Sequence, residues 1–574
     1  MRTAAALLGC LAITAHADVI HVNANAPSGG NGVKWDSAYN DLQTALANAS
    51  SGDQLWVARG TYSPKLPGDE TSTFTIPTGV FVFGGFQGNE RDLEDRPGDP
   101  LGDPSILDGQ GGILHVVSAD NATATLNGFV ITGGNANGLG TQPRSGGALL
   151  ATDSFLTLAN LYVVDCAATL HGAGVAAFGT GSLAVSSCAF SNCVAFSATT
   201  SGVQGGAIHA EHELSIIDST FESCGAQRGG AVSFESNDLC VISSCRFESN
   251  TAEFGGGAIW FDSTPSNFTL VERSDFLANT AESSAVGRGG AIAYSAVSGG
   301  IHHVFSCRFL GNNGGRYSGA IDAEFASSAA TANIQNSFFT GNSAQTGGVI
   351  SNRGSGNVNI ANATMTNNTA DFAGAVHNAA SRLDIYNAII TGNTSVGGTP
   401  IADNVFAGGA GPIVVSYSLI GLWDASLPGT HSSGADPMFV DADGPDNTPG
   451  TDDDDPSVMP ASPAIDAAFD AALDINIVTD IEGNPRFLDD TGTPDTGVSS
   501  SITPPLDIGA AEFQGTTPAS CLADLDNNGV LNLDDISAFA NAFISGDLLA
   551  DLDDNAVLNL DDIATFASAF LAGC

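Results

Sequence analysis

Lysine is nearly absent from this chain. Of 16 basic residues in 574, only Lys34 and Lys65 are lysines, and 62 acidic residues leave a formal net charge of -46. A surface this acidic repels phosphate backbones, which disfavours nucleic-acid binding, and it repels anionic polysaccharides unless calcium bridges them. Long apolar runs are also lacking, because no stretch after the N-terminus approaches the roughly 20 residues that a membrane span needs.

Zinc-type cysteine pairs are a third absence, since none of the 10 cysteines forms a Cys-x-x-Cys pattern. Helical bundles are disfavoured as well, because 70 glycines and 23 prolines interrupt long helices. A hydrophobic fraction of 43% and a mean hydropathy of +0.11 exclude global disorder. Composition therefore favours an extracellular, calcium-using, all-β protein.

The N-terminus has the pattern of a secretory signal. Arg2 is followed by an apolar stretch, and Ala15 and Ala17 place small residues where a signal peptidase cleaves, so we predict a signal over residues 1–17. The alternative is lipidation at Cys10, which follows Leu-Leu-Gly. We disfavour lipidation because the apolar run before Cys10 is short and continues past it. Export permits disulfides in the mature chain.

Two motifs recur between about residues 125 and 395. The first is a glycine pair followed by Ala and an aliphatic residue, and its copies begin at Gly146, Gly205, Gly229, Gly256 and Gly289, with degenerate copies at Ser318, Gly347 and Ala373. The second is an apolar residue followed three positions later by Asn or Cys, and its copies begin at Phe190, Phe221, Phe247, Phe276, Phe309, Phe339, Met365 and Ile390. Successive copies of the second motif lie 25 to 33 residues apart.

A period of this size is typical of a solenoid. Gly, Ser, Asn and Thr recur within short alternating runs, which excludes helical repeats and predicts short strands joined by turns. We therefore predict an all-β, single-stranded parallel β-helix whose coils lie about 4.8 Å apart. The Phe residues would stack in its core, the Asn amides would form a ladder along the axis, and the glycine pairs would occupy turns with positive φ.

These repeats resemble the Gly-Gly-Ala-Ile and Phe-x-x-Asn repeats of polymorphic outer-membrane-protein-type β-helices, within the right-handed, pectin-lyase-like class. The resemblance covers about half the chain and implies the fold rather than an activity. Ahead of the repeats, we predict a first strand at 19–23 and a helical cap that begins near Asp36 and carries Tyr39, Leu42, Ala45 and Leu46. Residues 396–515 contain Asp436-Pro437, Ser462-Pro463-Ala464-Ile465-Asp466, Asp480…Gly483…Arg486 and Asp507-Ile508-Gly509-Ala510…Glu512. These motifs resemble the closing segment of choice-of-anchor-type surface β-helices, which implies the last coils and a C-terminal cap. Residues 516–520 would be a linker.

The C-terminus contains a duplication. Residues 524–543 and 551–570 are identical at 15 of 20 positions. In each copy, oxygen-bearing side chains fall at positions one, three, five, nine and twelve, the spacing with which a twelve-residue loop wraps Ca²⁺. Each loop is followed by Ile and Phe at helical spacing, at Ile536, Phe539 and Phe543 and at Ile563, Phe566 and Phe570. The alternative is a solvated acidic tail.

This duplication closely resembles a type I dockerin, a small α-helical, EF-hand-like module that binds a cohesin partner. The resemblance implies two calcium sites, with ligands Asp524, Asp526, Asn528, the Val530 carbonyl, Asn532 and Asp535, and Asp551, Asp553, Asn555, the Val557 carbonyl, Asn559 and Asp562. It also implies partner contacts at Leu533, Asp534, Leu560 and Asp561, and Cys521 and Cys574 would close the module (521–574) with a disulfide. Ala556 replaces the glycine of the second loop, which should weaken that site.

Outward positions of the repeats offer candidate catalytic residues. If each Gly-Gly-Ala aliphatic points inward, Glu211, Glu235 and Asp262 lie outward on adjacent coils, roughly 5 Å apart, as in retaining glycosidases. Trp260 beside them could stack on a sugar ring. The alternative is an acidic solvent face. The Asn-Thr-Asp, Gly-His-Gly and Arg-Ile-Lys motifs of polygalacturonase-type hydrolases are absent. A lyase needs a Lys or Arg base beside calcium-binding carboxylates, and the repeats contain arginines but no lysine.

Two further clusters leave alternatives open. Asp441, Asp443 and Asp446 could bind calcium on a loop or be a solvated charge run. Cys166, Cys193 and Cys224 occupy the Asn position of successive coils, where disulfides are within reach. We favour a ladder of buried thiols.

We therefore predict a secreted β-helix that presents a glycan- or surface-binding face and is docked to a cohesin through calcium. The alternatives are a polysaccharide hydrolase or lyase delivered by the same module, and a non-catalytic adhesin or spacer.

Overall fold

The computed structural model describes residues 17–64, 69–97, 102–262, 267–379, 381–396, 403–408, 411–423, 426–499, 505–515, 523, 525, 533–545, 550, 552 and 558–572. The chain divides into two compact units, Met1–Glu512 and Phe513–Cys574. The predicted signal (1–17) lies outside the described residues except for its last residue.

The first unit is a parallel β-helix, as predicted, and its strands form long sheets that run along the axis. Sheet I contains Val19–Val22, Gln54–Ala58, Phe81–Phe86, Thr123–Asn127, Phe155–Ala159, Ser182–Ser186, Glu213–Ile217, Cys240–Ser243, Asn267–Glu272, Gly300–Phe305, Thr331–Gln335, Asn357–Ala361, Leu383–Tyr386 and Ile413–Ser416. Sheet II contains Phe74–Thr75, Val117–Asp120, Leu149–Thr152, Val175–Phe178, Ile208–Ala210, Val232–Phe234, Ile259–Asp262, Ile292–Val297, Ile321–Phe325, Ile350–Asn352, Val376–Asn378 and Val405–Ala407.

Two more sets of strands complete the coils. Sheet III contains Gly60–Tyr62, Ser105–Ile113, Phe129–Ala136, Tyr162–Val164, Ala189–Ser191, Thr220–Glu222, Arg246–Glu248, Asp275–Leu277, Arg308–Leu310, Phe338–Thr340, Thr364–Thr366, Ile389–Thr391 and Leu419–Ile420. Shorter strands follow it at Ala167–Ala168, Val194–Ala195, Gly225–Arg228, Thr251–Gly255, Thr280–Ala281, Ser343–Thr346, Thr369–Phe372 and Thr394–Ser395. An antiparallel pair lies outside the coils, at Phe439–Asp441 and Asp455–Val458.

The glycine pairs form the turns that lead into sheet II. The first glycine of a pair has positive φ, as at Gly256 (φ 60°), which confirms the prediction. The second glycine allows neighbouring coils to approach, because a Cβ on Gly257 would lie 2.0 Å from the carbonyl oxygen of Gly290. Ser318 and Ala373 take the first position in degenerate copies and keep a φ of 61°.

The second motif fills the core between the sheets. The Phe rings stack in parallel along the axis, with centroids 4.7 to 5.0 Å apart from Phe190 to Phe339. The predicted amide ladder is present, since Asn279 Nδ2 donates to Asn312 Oδ1 (3.0 Å) and Asn312 Nδ2 donates to Asn342 Oδ1 (2.9 Å). Each amide also donates to a carbonyl of the preceding coil, which leaves no buried amide proton of these residues unused.

Thiols continue this ladder toward the N-terminus. Cys193 and Cys224 donate weakly to the carbonyls of Val163 and Phe190, as the asparagines do in later coils. All seven cysteines of the repeats are buried and reduced, which confirms the thiol ladder over disulfides there. Burial raises the pKa of Cys166 to about 12, so this thiol is unreactive at neutral pH. Cys521 and Cys574 lie outside the described residues.

Helix α1 spans Leu42–Asn48 and buries Leu42, Ala45 and Leu46 against the first coils. Its N-cap is Asp41, whose carboxylate accepts from the Thr44 amide (2.6 Å), so the predicted start near Asp36 is wrong. Asp36 lies instead in a short 3-10 turn. The 3-10 turns are Trp35–Ser37, Leu93–Asp95, Gln142–Arg144 and Asp470–Ala472.

Residues 436–512, here called the flanking segment, contact the side of the coils, and the C-terminal cap expected within residues 396–515 stays a prediction. Asp452 accepts from both terminal nitrogens of Arg246 (3.1 and 2.8 Å), about 200 residues earlier in the chain. Asn336 and Asn362 sit at tight turns after sheet I and donate to the carbonyls of Thr479 and Asp507 (both 3.0 Å). These asparagines have positive φ, which Asn tolerates better than most residues.

The second unit contains two helices, α2 (Leu533–Ser545) and α3 (Leu560–Ala572). They fall where the duplication predicted them, and Phe539 stacks on Phe566 with ring centroids 4.3 Å apart. The two copies therefore contribute equivalent residues to one small core. Among the described residues, no helix is both long enough and apolar enough to cross a membrane.

Candidate functional site

The predicted carboxylates follow consecutive strands of sheet II. The strand register pairs His209 with Ser233 and Ser233 with Trp260, as the repeats predicted. The amide of Glu235 donates to the carbonyl of Ala210 (2.9 Å), which places Glu235 beside Glu211 on the neighbouring coil. The structure thus places the predicted carboxylates on adjacent coils. Glu211 and Glu235 are exposed, and Asp262 is half-buried.

The environments of Glu211 and Glu235 shift their pKa values in opposite directions. The imidazole of His209, whose Nε2 lies 3.8 Å from Glu211 Oε1, lowers the pKa of Glu211. Partial burial and then the charge of Asp262 raise the pKa of Glu235. A carboxyl with a raised pKa beside a carboxylate with a lowered one is the pattern of a general acid and its partner base.

Trp260 offers no open ring face for a sugar. Its side chain is 2% exposed, and the guanidinium groups of Arg228 and Arg288 lie 5.4 and 5.6 Å from the ring centroid on neighbouring coils. In this cation–π arrangement the arginines cover the ring and Trp260 shields the sheet. We therefore do not propose Trp260 as a glycan-stacking residue.

Further along sheet II, ion pairs neutralise the acidic side chains. Arg353 makes a bidentate contact with the buried carboxylate of Asp322 (2.9 and 2.8 Å). Arg288 contacts Glu324, and Arg353 lies 3.8 Å from the same carboxylate. These carboxylates are structural, whereas neither Glu211 nor Glu235 forms an ion pair with an arginine in the described residues.

A groove on sheet I was missed from the sequence. It has a volume of about 340 Å³, within the range of small-ligand sites. Its floor comprises outward side chains of two adjacent coils: Phe268 and Leu270 on one, His303 and Phe305 on the next. The ring centroid of His303 lies 5.2 Å from that of Phe268 and 4.5 Å from that of Phe305.

The flanking segment forms one wall of this groove, through residues 474–479. The amide of Asp474 donates to Gln335 Oε1 (2.9 Å), which ties this wall to the coil below. At one end, the ion pair between Glu272 and Arg273 supplies charged hydrogen-bonding groups, and the Arg273 side chain is 60% exposed. The only sequence signal was the alternation of strand Asn267–Glu272, which places Phe268 outward at 40% exposure.

The predicted calcium loops fall mostly outside the described residues. Of the twelve ligand positions, the structure describes Asp535, Asn559 and Asp562, and both aspartates are fully buried. The carboxylate of Asp562 accepts from the amides of Leu552 (2.9 Å) and Asn559 (2.8 Å). Of the predicted partner contacts, Leu560 is 78% exposed.

Asp441, Asp443 and Asp446 do not converge. In the part of the chain that the structure describes, the carboxylate trio with oxygens within 4.8 Å of one another is instead Asp466, Asp489 and Asp495.

Comparison with known proteins supports the fold. Residues 146–328 match the family described as "Right handed beta helix region", so the parallel β-helix is right-handed. No curated protein matches the chain.

Three solved structures are similar to it. The surface adhesin PfbA of Streptococcus pneumoniae is 11% identical over 70% of this chain and 87% of that chain (TM-score 0.31). Pectate lyase Pel9A is 13% identical over 86% and 96% (TM-score 0.25). The family 28 exopolygalacturonase of Yersinia enterocolitica is 9% identical over 73% and 78% (TM-score 0.22).

Proposed function

We propose that this protein is a secreted glycan-binding β-helix that holds sugar residues in the groove of sheet I. The observation that carries the proposal is the groove floor, where Phe268, His303 and Phe305 place three rings on adjacent coils. Aromatic faces bind the apolar face of a pyranose, and charged side chains at the rim bind its hydroxyl groups. Glu272, Arg273 and Asp474 supply such groups around the floor.

The overall charge narrows the ligand class. With a net charge of -46, the protein repels polyanionic glycans, so neutral glycans are the expected ligands unless calcium bridges an acidic one. A groove that is polar at its rim and aromatic on its floor suits a short stretch of neutral sugar residues.

The test is binding of the full chain to a glycan array, with Phe268→Ala as the groove variant. We expect this variant to lose at least tenfold in affinity for the retained glycans. Phe155→Ala is the matched control, because Phe155 is also an exposed phenylalanine on sheet I (54% exposed) and lies outside the groove. Equal loss in both variants, or no retained glycan, would contradict the proposal.

Glycoside hydrolysis at Glu211, Glu235 and Asp262 is the second candidate function. The specific observation in its favour is the opposite direction of the pKa shifts of Glu211 and Glu235. In this mechanism Glu235 would protonate the leaving oxygen, and a neighbouring carboxylate would act as nucleophile or base.

A reducing-end assay on the array's retained glycans separates binding from hydrolysis. Glu235→Gln should abolish any release of sugar, while Glu213→Gln, an exposed glutamate on sheet I, should leave it unchanged. Retention without release in the unmodified chain supports the binder. Release that survives Glu235→Gln rejects this site.

We further propose that the second unit is a dockerin-like module that binds two Ca²⁺ and a cohesin-like domain outside the cell. The equivalent helices α2 and α3 and the buried aspartates at the twelfth loop positions, Asp535 and Asp562, support this assignment. The matching test is calcium-dependent capture of the full chain by immobilised cohesin domains. Capture that is unchanged by chelator would contradict it.

A further inference from the structure

Three aspartates that do not line the groove converge in the flanking segment. Carboxylate oxygens of Asp466, Asp489 and Asp495 all lie within 4.8 Å of one another, although up to 29 residues separate them in the chain. The carbonyl of Asp466 accepts from the amides of Thr496 (3.0 Å) and Gly497 (2.9 Å). These backbone contacts bring the end of the loop that contains Asp489 and Asp495 against Asp466.

Asp466 is an unusual member of this trio, because it is fully buried while the other two are exposed. Neither of its carboxylate oxygens has a hydrogen-bond partner. A buried polar group without a partner is rare and costs free energy, and a carboxylate costs more than a neutral group.

The surrounding charges make this cost larger. Burial, followed by the negative charge of Asp507, raises the pKa of Asp466 to about 7, and Asp489 and Asp495 act in the same direction. The amide of Asp466 donates to Asp507 Oδ1 (2.7 Å), which fixes a fourth carboxylate next to the trio. A bound cation would both coordinate the unpartnered oxygens of Asp466 and offset the repulsion between the neighbouring carboxylates.

We propose that Asp466, Asp489 and Asp495 bind one Ca²⁺ ion. All the donors are carboxylate oxygens, which select a hard cation over zinc. Three carboxylates exceed the one or two through which Mg²⁺ is usually held, and the flexible coordination of Ca²⁺ tolerates ligands on an exposed loop. Water supplies the remaining ligands. The ion links both ends of residues 466–495, so it stabilises the flanking segment that forms a wall of the groove.

The experiment measures calcium bound per full chain by equilibrium dialysis, together with the thermal melting of the first unit. Because the C-terminal loops have their own predicted sites, the measurement is made in a chain with Asp526→Ala and Asp553→Ala. The difference between this chain and the unmodified chain reports on the C-terminal sites alone. We expect the loop-disabled chain to retain one tightly bound Ca²⁺ that raises its melting temperature.

Asp489→Asn with Asp495→Asn should remove that ion and the calcium-dependent rise in melting temperature. Both side chains are exposed, so the substitutions should not prevent folding. Asp36→Asn with Asp371→Asn removes the same charge from exposed positions elsewhere and should retain the ion. Absence of bound Ca²⁺ in the loop-disabled chain, retention of Ca²⁺ by the Asp489 and Asp495 variant, or preference for Mg²⁺ would each overturn the proposal.

Discussion

His302 shows how one buried side chain couples the stability of the β-helix to pH. It points into the core from sheet I, is fully buried, and its two ring nitrogens lie 3.0 Å from Thr269 Oγ1 and 3.2 Å from the Gly299 carbonyl oxygen. Burial lowers its pKa from 6.5 to about 4. Between these two values the unfolded chain takes up a proton that the folded chain does not, so stability falls as pH falls.

We expect the free energy of unfolding to decrease between pH 7 and pH 4, with His302 contributing roughly 3 kcal/mol from the 2.5-unit difference between 6.5 and about 4. Guanidinium unfolding midpoints at several pH values measure this decrease. His302→Gln should make the pH dependence less steep without abolishing it, because burial also lowers the pKa of His171 to about 2 and that of His377 to about 4. His431→Gln, at an exposed position, should leave it unchanged. An unaltered pH dependence in His302→Gln would show that the ring is already protonated in the fold.

At this scale the sequence predicted which side chains share a coil face but not what covers them. The register of Glu211, Glu235 and Trp260 follows from the repeat. The burial of Trp260 depends on Arg228 and Arg288, which directly precede the glycine pairs of the two neighbouring coils. The repeat gives the backbone position of these arginines, but it carries no information about whether their side chains extend over the ring.

At the scale of the single coil, the asparagine ladder links each coil to its two neighbours by buried hydrogen bonds. Asn312 is fully buried, donates to the Phe276 carbonyl (2.9 Å) and to Asn342, and accepts from Asn279. Because its neighbours on both sides depend on it, removal of the amide leaves buried donors and acceptors unsatisfied, each at a cost of about 1–3 kcal/mol.

Asn312→Ala should therefore lower the free energy of unfolding by roughly 3 kcal/mol. Asn312→Cys should cost about half as much, because Cys193 and Cys224 already fill this position and donate to the matching carbonyls. Denaturant midpoints of the two variants provide the comparison. Equal destabilisation would mean that volume, rather than hydrogen bonding, determines this position.

The glycine pairs give a second prediction for the coil. A Cβ at Gly256 would clash with the carbonyl of Ile259 in its own turn, whereas a Cβ at Gly257 would clash with Gly290 on the next coil. The chain itself accepts Ser and Ala at the first position but keeps glycine at the second in all eight copies of the motif. Relaxation within one turn is local, but relaxation between coils must move two hydrogen-bonded coils apart.

Gly256→Ala should cost about 1–2 kcal/mol, the usual penalty for a left-handed non-glycine residue. Gly257→Ala should cost more than about 4 kcal/mol or prevent folding. Thermal melting and soluble yield measure the difference, and a smaller loss in Gly257→Ala than in Gly256→Ala would contradict this account of the pair.

At the scale of the whole molecule, the repeats predicted the coils and the duplication predicted α2 and α3, but neither located the flanking segment. Its contacts join residues far apart in the chain, such as Arg246 with Asp452, and the segment has no period of its own. The groove could not be predicted for the same reason. The repeats form its floor, but residues 474–479 of the flanking segment form one wall. A site that lies between the repeats and a non-repeating segment can therefore be located only from the structure.

The two units should also differ in how strongly their stability depends on calcium. Predicted calcium ligands recur through the loop sequences of the second unit, whose described core is small. The first unit has a continuous apolar core along its coils. Removal of Ca²⁺ should therefore unfold the second unit and only lower the melting temperature of the first.

Limited proteolysis of the full chain, with and without chelator, measures this difference. We expect cleavage after residue 515 to become at least tenfold faster in chelator, while the first unit survives as a resistant fragment. Asp526→Ala with Asp553→Ala should give the same cleavage in the presence of Ca²⁺, and Asp36→Asn with Asp371→Asn should not. A second unit that resists protease equally in chelator would show that its two helices hold together without metal, and the calcium-dependent anchor would have to be abandoned even if the groove binds glycan.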